Sequence, residues 1–82
     1  EGPQRFTLPF GAEVLDCQFQ GKSIVFWALL DTSNTEAMEQ ETHEFRVLMT
    51  GEPITQAILG RHLATITDPF GYVLHVFHDV ID

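Results

Sequence analysis

One unbroken apolar block, Ser23–Asp31 (SIVFWALLD), constrains the fold of this chain more than any other feature. Hydrophobic side chains occupy odd and even positions alike between its polar ends. Because successive side chains of a β-strand point to opposite faces, a strand of this kind must be covered on both sides. The block therefore predicts the central strand of a small β core, and Trp27 is expected to fill that core.

The segment before the block has the alternating pattern of a half-buried strand. Within Glu13–Gln20, the side chains of Leu15, Cys17 and Phe19 fall on one face and polar side chains fall on the other. A tight hairpin turn at Gly21 is expected to join this strand to the apolar block.

The remaining patterns predict a mainly β fold in one domain, residues 1–82, with residues 1–4 a tag remnant or disordered. The expected architecture is a small antiparallel five-stranded sheet or barrel with at most one or two short helices. Further strand patterns cover residues 5–8, 42–50, 61–67 and 72–80. A helical turn or an exposed loop is expected at 36–40, and a short helix at 54–59.

Composition narrows the classes of partner. The net charge of −8, from 12 acidic and four basic residues, argues against DNA or RNA binding, which needs Lys and Arg to displace counterions. The acidity serves either solubility or mimicry of nucleic-acid charge that blocks a basic surface. Cys17 is the single cysteine, which excludes an intramolecular disulfide and fits a reducing cytoplasm. No run approaches the roughly 20 apolar residues of a membrane span, so no membrane partner is expected.

The scarce cations are the first candidates for ligand binding. Arg46 lies inside a predicted strand and Arg61 begins another. In so acidic a chain each either pairs with a carboxylate or binds a phosphate or other anion, with Trp27 or Phe70 as a stacking surface. Together with His75, these residues form the predicted ligand-binding set.

No pattern predicts a metal or a cofactor, and none predicts catalysis strongly. His75-x-x-His78 has a spacing that suits two ligands on a helix, but on a strand the two rings point to opposite faces. We expect His78 at the exposed strand end, while His43 and His62 could each meet His75 in space. Cys17 is expected to be a buried, inert thiol.

Four blocks taken together resemble a group of small uncharacterised proteins from bacteriophages and prophages. The blocks are LPFGAEVL at 8–15, WALLD at 27–31, HEFRV at 43–47 with TG at 50–51, and LHVF at 74–77. The family pattern runs P-x-G-A-x-x-L, W-A-L-x-D, G-T-G, I-G-T and W-H-V-F. This chain departs from it with MTG at 49–51, HLAT at 62–65 and Leu74 before His75.

The resemblance implies a phage accessory protein that acts in the host cytoplasm by binding rather than by catalysis. The leading expectation is a homo-oligomeric counter-defence inhibitor that sequesters a host nucleotide immune signal or blocks a host defence protein. The alternatives are a structural or assembly protein of the phage particle, and a small nucleotide hydrolase that uses His75 with a carboxylate.

Overall fold

The computed structural model describes residues 3–30, 39–51 and 60–81, and all the regular structure in these ranges is β. The strands are β1 (Gln4–Pro9), β2 (Glu13–Gln20), β3 (Ser23–Leu29), β4 (Gln40–Met49), β5 (Arg61–Thr67) and β6 (Val73–Val80). They form a four-stranded antiparallel sheet in the order β1-β4-β6-β5 and a two-stranded hairpin, β2-β3.

The mainly β, antiparallel prediction is confirmed. Each of the six segments with a strand pattern forms a strand, but they divide into sheets of four and two strands instead of one five-stranded sheet or barrel. The weakly patterned segments at residues 4–9 and 61–67 both pair as full strands. The helix predicted at 54–59 and most of the turn at 36–40 lie outside the described residues, and Gln40 begins β4.

The apolar block forms β3, which pairs only with β2 within the described ranges, so its prediction as a central strand is wrong. Trp27 lies opposite Asp16 and is 42% exposed, so it does not fill the core. Phe26, the residue before it, points the other way and packs against the core. One face of β3 is therefore covered, and no described layer covers the other.

A β-bulge in β2 changes which side chains enter the core. The pairing register between β2 and β3 shifts between Val14 and Asp16. As a result Val14 and Cys17 are buried, whereas Leu15 is 52% exposed. The predicted shared face of Leu15 and Cys17 is wrong, because the extra residue at a bulge breaks the alternation of the strand. The burial of Cys17 is confirmed.

The core lies between the hairpin and the inner face of the four-stranded sheet. Phe6, Phe26 and Phe45 come from β1, β3 and β4, and their ring centroids lie 4.7 to 5.8 Å apart. A cleft of about 470 Å³ opens beside these rings, and we call it the apolar cleft. Ile24 and Gln4 also line the cleft, and the side chain of Gln4 is the one amide group in the lining.

Candidate functional site

The outer face of the four-stranded sheet carries two adjacent rows of side chains that cross β4, β6 and β5. The pairing register sets Phe77 between Arg46 and His62, and His75 between Leu48 and Thr65. Side chains two residues apart on a strand share a face, so the two rows form one patch. We call this patch the histidine face: Arg46, Leu48, Thr50, His62, Thr65, His75 and Phe77.

A chain of hydrogen bonds links the polar side chains of the histidine face. His62 Nε2 lies 2.9 Å from Thr65 Oγ1, and Thr65 Oγ1 lies 3.1 Å from His75 Nδ1. On the other side of the ring, His75 Nε2 lies 3.0 Å from Thr50 Oγ1. The Thr50 hydroxyl also donates to the Val73 carbonyl at 3.3 Å. Both nitrogens of His75 are therefore held by hydroxyl groups.

Arg46 gives the histidine face a permanent cation. Its Nε lies 3.5 Å from Glu44 Oε1, and that nitrogen is buried without a hydrogen-bond partner. Glu44 also receives Arg5, whose Nη2 lies 3.0 Å from Oε2. Because two guanidinium groups share one buried carboxylate and the Arg46 side chain is 34% exposed, the rest of its guanidinium group, beyond the buried Nε, has hydrogen-bonding capacity for an anion.

An aromatic ring separates the cation from the histidines. Phe77 lies directly opposite Arg46 in the register, and its ring meets that of His62 edge-on at 5.4 Å. The rings of His62 and His75 are 6.0 Å apart. The patch thus combines a cation, a flat apolar ring and a string of hydrogen-bonding groups.

The structure brings together two of the five predicted ligand-binding residues, Arg46 and His75. Arg61 is on the opposite face, where it donates from Nη2 to the Val14 carbonyl at 2.7 Å. Trp27 is on the hairpin, and Phe70 is 84% exposed in the turn before β6. The predicted set therefore does not form one site.

Sequence reasoning missed Thr65 and Phe77 and gave His62 no defined role. A second register shift, between His62 and Ala64, allows His62 and Thr65 to share a face although they are three residues apart. The sequence contains no signal for that bulge. The two-residue period of a strand over Tyr72–Val80 could have found Phe77, which lies two residues from His75 and so shares its face.

The inner face of the same sheet holds a second, closed histidine pair. His43 Nδ1 lies 2.8 Å from His78 Nε2, and the two rings stack at 5.0 Å. His43 is fully buried and its Nε2 lies 3.3 Å from Glu41 Oε1. His78 is only 6% exposed, so its predicted position at an exposed strand end is wrong. The prediction that His75 and His78 point to opposite faces is confirmed.

Burial sets the chemistry of this inner pair. Removal of His78 from water, and then the nearby His43 and Arg61, lower the pKa of the His78 imidazole. Its Nδ1 is buried and has no hydrogen-bond partner. Burial also acts on Cys17. It raises the pKa of the Cys17 thiol, with a smaller contribution from the charge of Asp16, and the thiol is therefore a poor nucleophile.

Residues 3–30, 39–51 and 60–81 contain no group of three or more His, Cys, Asp or Glu side chains arranged to hold a metal ion. In the same ranges no helix has the length and apolar character to cross a membrane.

Comparison with known proteins identifies a family but no activity. The domain family DUF7352, described as a domain of unknown function, matches residues 1–81. No curated protein and no solved structure gives a significant match.

Proposed function

We propose that this chain, which belongs to the DUF7352 family of unknown function, is a non-enzymatic phage protein that counters host defence by sequestering a small nucleotide signal. The nucleotide would bind on the histidine face. The phage setting, and with it action in the host cytoplasm, is supported by the sequence resemblance alone. The binding mode is argued from the residues of the patch.

The observation that carries the proposal is the row formed by Arg46, Phe77 and His62. A nucleotide has a flat base and an anionic phosphate. Aromatic rings stack on bases whatever their identity, and guanidinium groups hold phosphates through charge-assisted hydrogen bonds. The row supplies both kinds of contact on a sheet face that no other described strand covers, in an otherwise strongly acidic chain.

The contacts of His75 favour binding over hydrolysis. The hydrolase alternative needs His75 to work with a carboxylate, because general acid–base catalysis uses titratable groups that converge. Thr50 and Thr65 occupy the two nitrogens of His75. Among the described residues, the histidine that contacts a carboxylate is His43, which is sealed in the core.

Exposed apolar side chains support a homo-oligomer. Within the described ranges, fourteen large hydrophobic side chains are exposed and six hydrophobic residues are buried. Extensive apolar surface of this kind is typical of association. An oligomer would place further side chains over the open sheet face.

A second candidate function is the direct blocking of a host defence protein. The apolar cleft favours it, since its three phenylalanine rings offer the aromatic anchoring that protein interfaces use. The net charge of −8 would direct such contacts toward a basic partner.

Native mass spectrometry with a panel of linear and cyclic mono- and dinucleotides tests the first function. We expect an oligomer that retains one nucleotide class and releases it chemically intact. Arg46→Gln should weaken retention at least about tenfold through loss of a charge-assisted contact, while Lys22→Gln, in the exposed hairpin turn, should not. A cleaved product would indicate a hydrolase, and no retention by the wild type would overturn sequestration.

Phage plating separates the two candidate functions. Expression in bacteria that carry a nucleotide-signalling defence should restore phage plating, and Arg46→Gln should abolish that effect. If Ile24→Lys in the apolar cleft abolishes it instead, while Leu15→Lys on the exposed bulge does not, blocking of a protein is favoured.

A further inference from the structure

We propose that His62, Thr65 and His75 form a phosphate subsite that opens when the two imidazoles take up protons. Phosphate binding would then draw protons onto the protein. The inference rests on the proposed function, in that the ligand is a nucleotide on the histidine face, and it identifies which atoms receive the phosphate.

The directions of the four hydrogen bonds follow from a count of protons. Two neutral imidazoles and two hydroxyl groups carry one proton each, and four contacts need one proton each. The Val73 carbonyl can only accept, so Thr50 must donate to it. His75 then donates from Nε2 to Thr50, Thr65 donates to His75 Nδ1, and His62 donates from Nε2 to Thr65. All four contacts can be satisfied together in this direction only.

In this neutral state the hydrogen-bonded chain from His62 to Thr50 has no free donor for a phosphate, because each of its N–H and O–H protons already makes a hydrogen bond. The remaining ring nitrogen, His62 Nδ1, presents a lone pair, which repels an anionic oxygen. A phosphate therefore gains no hydrogen bond from the neutral chain.

Protonation reverses the arrangement at two points. When His75 is charged, its Nδ1 becomes a donor to Thr65, and the Thr65 hydroxyl proton is free to turn outward. When His62 is charged, its Nδ1 becomes a donor as well. The doubly protonated patch presents two new donors and two new charges, all on the exposed side of β5 and β6.

The other charges on this face cancel, so the two added protons determine its net charge. The register places Arg5, Arg46, Glu44 and Asp79 on the outer face of the described sheet. Two cations and two carboxylates balance formally, so the face is neutral while both histidines are neutral. Two added protons convert it to a cationic surface, to which a phosphate is attracted.

Calorimetry with ADP and adenosine tests the subsite. We expect ADP binding to take up protons from the buffer and to weaken as pH rises, by up to about tenfold per pH unit for each proton. Adenosine, which lacks phosphate, should bind with little dependence on pH. Thr65→Val should reduce the preference for ADP over adenosine to the part that Arg46 supplies, whereas Thr67→Val, on the same strand and face, should preserve it.

The outcomes separate this inference from the proposed function. If neither ADP nor adenosine binds at any pH, and the nucleotide panel is also not retained, the proposed function fails. If ADP binds without proton uptake, or if Thr65→Val leaves the ADP preference intact, the subsite fails and the proposed function survives. Circular dichroism at each pH confirms that the protein measured is folded.

Nuclear magnetic resonance of the imidazole nitrogens supplies a readout that does not depend on affinity. At high pH, the proton count requires the Nε2–H tautomer for both His62 and His75. Addition of inorganic phosphate at a fixed pH near 6.5 should shift both rings toward the doubly protonated form. His62→Gln and His75→Gln assign the signals, and an Nδ1–H tautomer at His75 would overturn the inference.

Discussion

The two faces of one sheet each hold a pair of histidines, and the pairs differ in what a proton does to them. On the inner face, His43 and His78 touch directly at 2.8 Å and are sealed from solvent. On the outer face, His62 and His75 are joined through the Thr65 hydroxyl, and His62 is exposed. A proton on His78 must be buried, so it opposes folding, whereas the outer pair is the one that we propose to bind a ligand. Burial thus separates a structural role from the proposed binding role within a single residue type.

Replacement of one histidine by leucine on each face should give the largest difference in stability between the two pairs. His43→Leu leaves His78 buried without its imidazole partner, and we expect a loss of about 3 kcal/mol in the free energy of unfolding. His75→Leu replaces a ring in a patch open to water and should cost no more than about 0.5–1 kcal/mol. Urea denaturation of both variants measures the difference, and equal losses would contradict the assignment of roles.

A backbone change tests the inner face without removing an imidazole. Gly60 has a φ of +77°, and a Cβ there would lie 2.3 Å from the His78 carbonyl oxygen. Gly60→Ala should therefore destabilise the fold by about 2–3 kcal/mol through strain and displacement of β5 from β6. Gly11→Ala is the matched control, since its φ is +87° and open space surrounds its Cβ position. We expect the control to lose about 1 kcal/mol of unfolding free energy. If Gly60→Ala loses no more than the control, the end of the strand adapts to the added Cβ without strain.

The stability of the wild type should fall as pH falls below about 6.5. The pKa of His78 is lower in the folded protein than its usual value of 6.5, so the unfolded chain binds more protons in the window below 6.5. The stabilisation is complete above that window and is lost as pH falls toward the folded pKa. Urea midpoints at several pH values measure the slope, which His78→Gln should reduce. A flat profile for the wild type would mean that the inner pair accepts a proton without cost.

Much of the fold could be predicted from the sequence because alternation and turn residues act locally. Gly21 marks the hairpin, and six of the described segments carry the expected strand character. The prediction of a central strand for the apolar block is wrong because hydrophobic side chains on both faces indicate that a strand is covered but do not identify what covers it. Leu15 was misassigned because a bulge is set by the partner strand rather than by the bulged residues themselves.

The candidate site was less predictable, because it depends on register between distant strands. The sequence offers Arg46 and His75 as separate candidates, and the pairing of β4 with β6 makes them neighbours. Arg61 was equally plausible by composition, yet its register opposite His78 places it on the inner face. His78 was misjudged because its burial comes from contact with His43, 35 residues away. Local patterns carry no information about such contacts.

The smallest change in stability is expected for a substitution in the hydrogen-bonded chain of the outer face. Thr50→Val removes the hydroxyl that connects His75 to the Val73 carbonyl, and water can replace it on an exposed surface, so we expect a stability change below about 0.5 kcal/mol. The proton directions should nevertheless change, because the acceptor that determined them is no longer connected to the chain. Imidazole nitrogen spectra at high pH should show a mixture of tautomers at His75 where the wild type has Nε2–H alone, and Thr67→Val should leave the spectrum unchanged. A loss above about 1.5 kcal/mol would instead make the outer chain a structural element like the inner pair, and binding would then have to be sought in the apolar cleft.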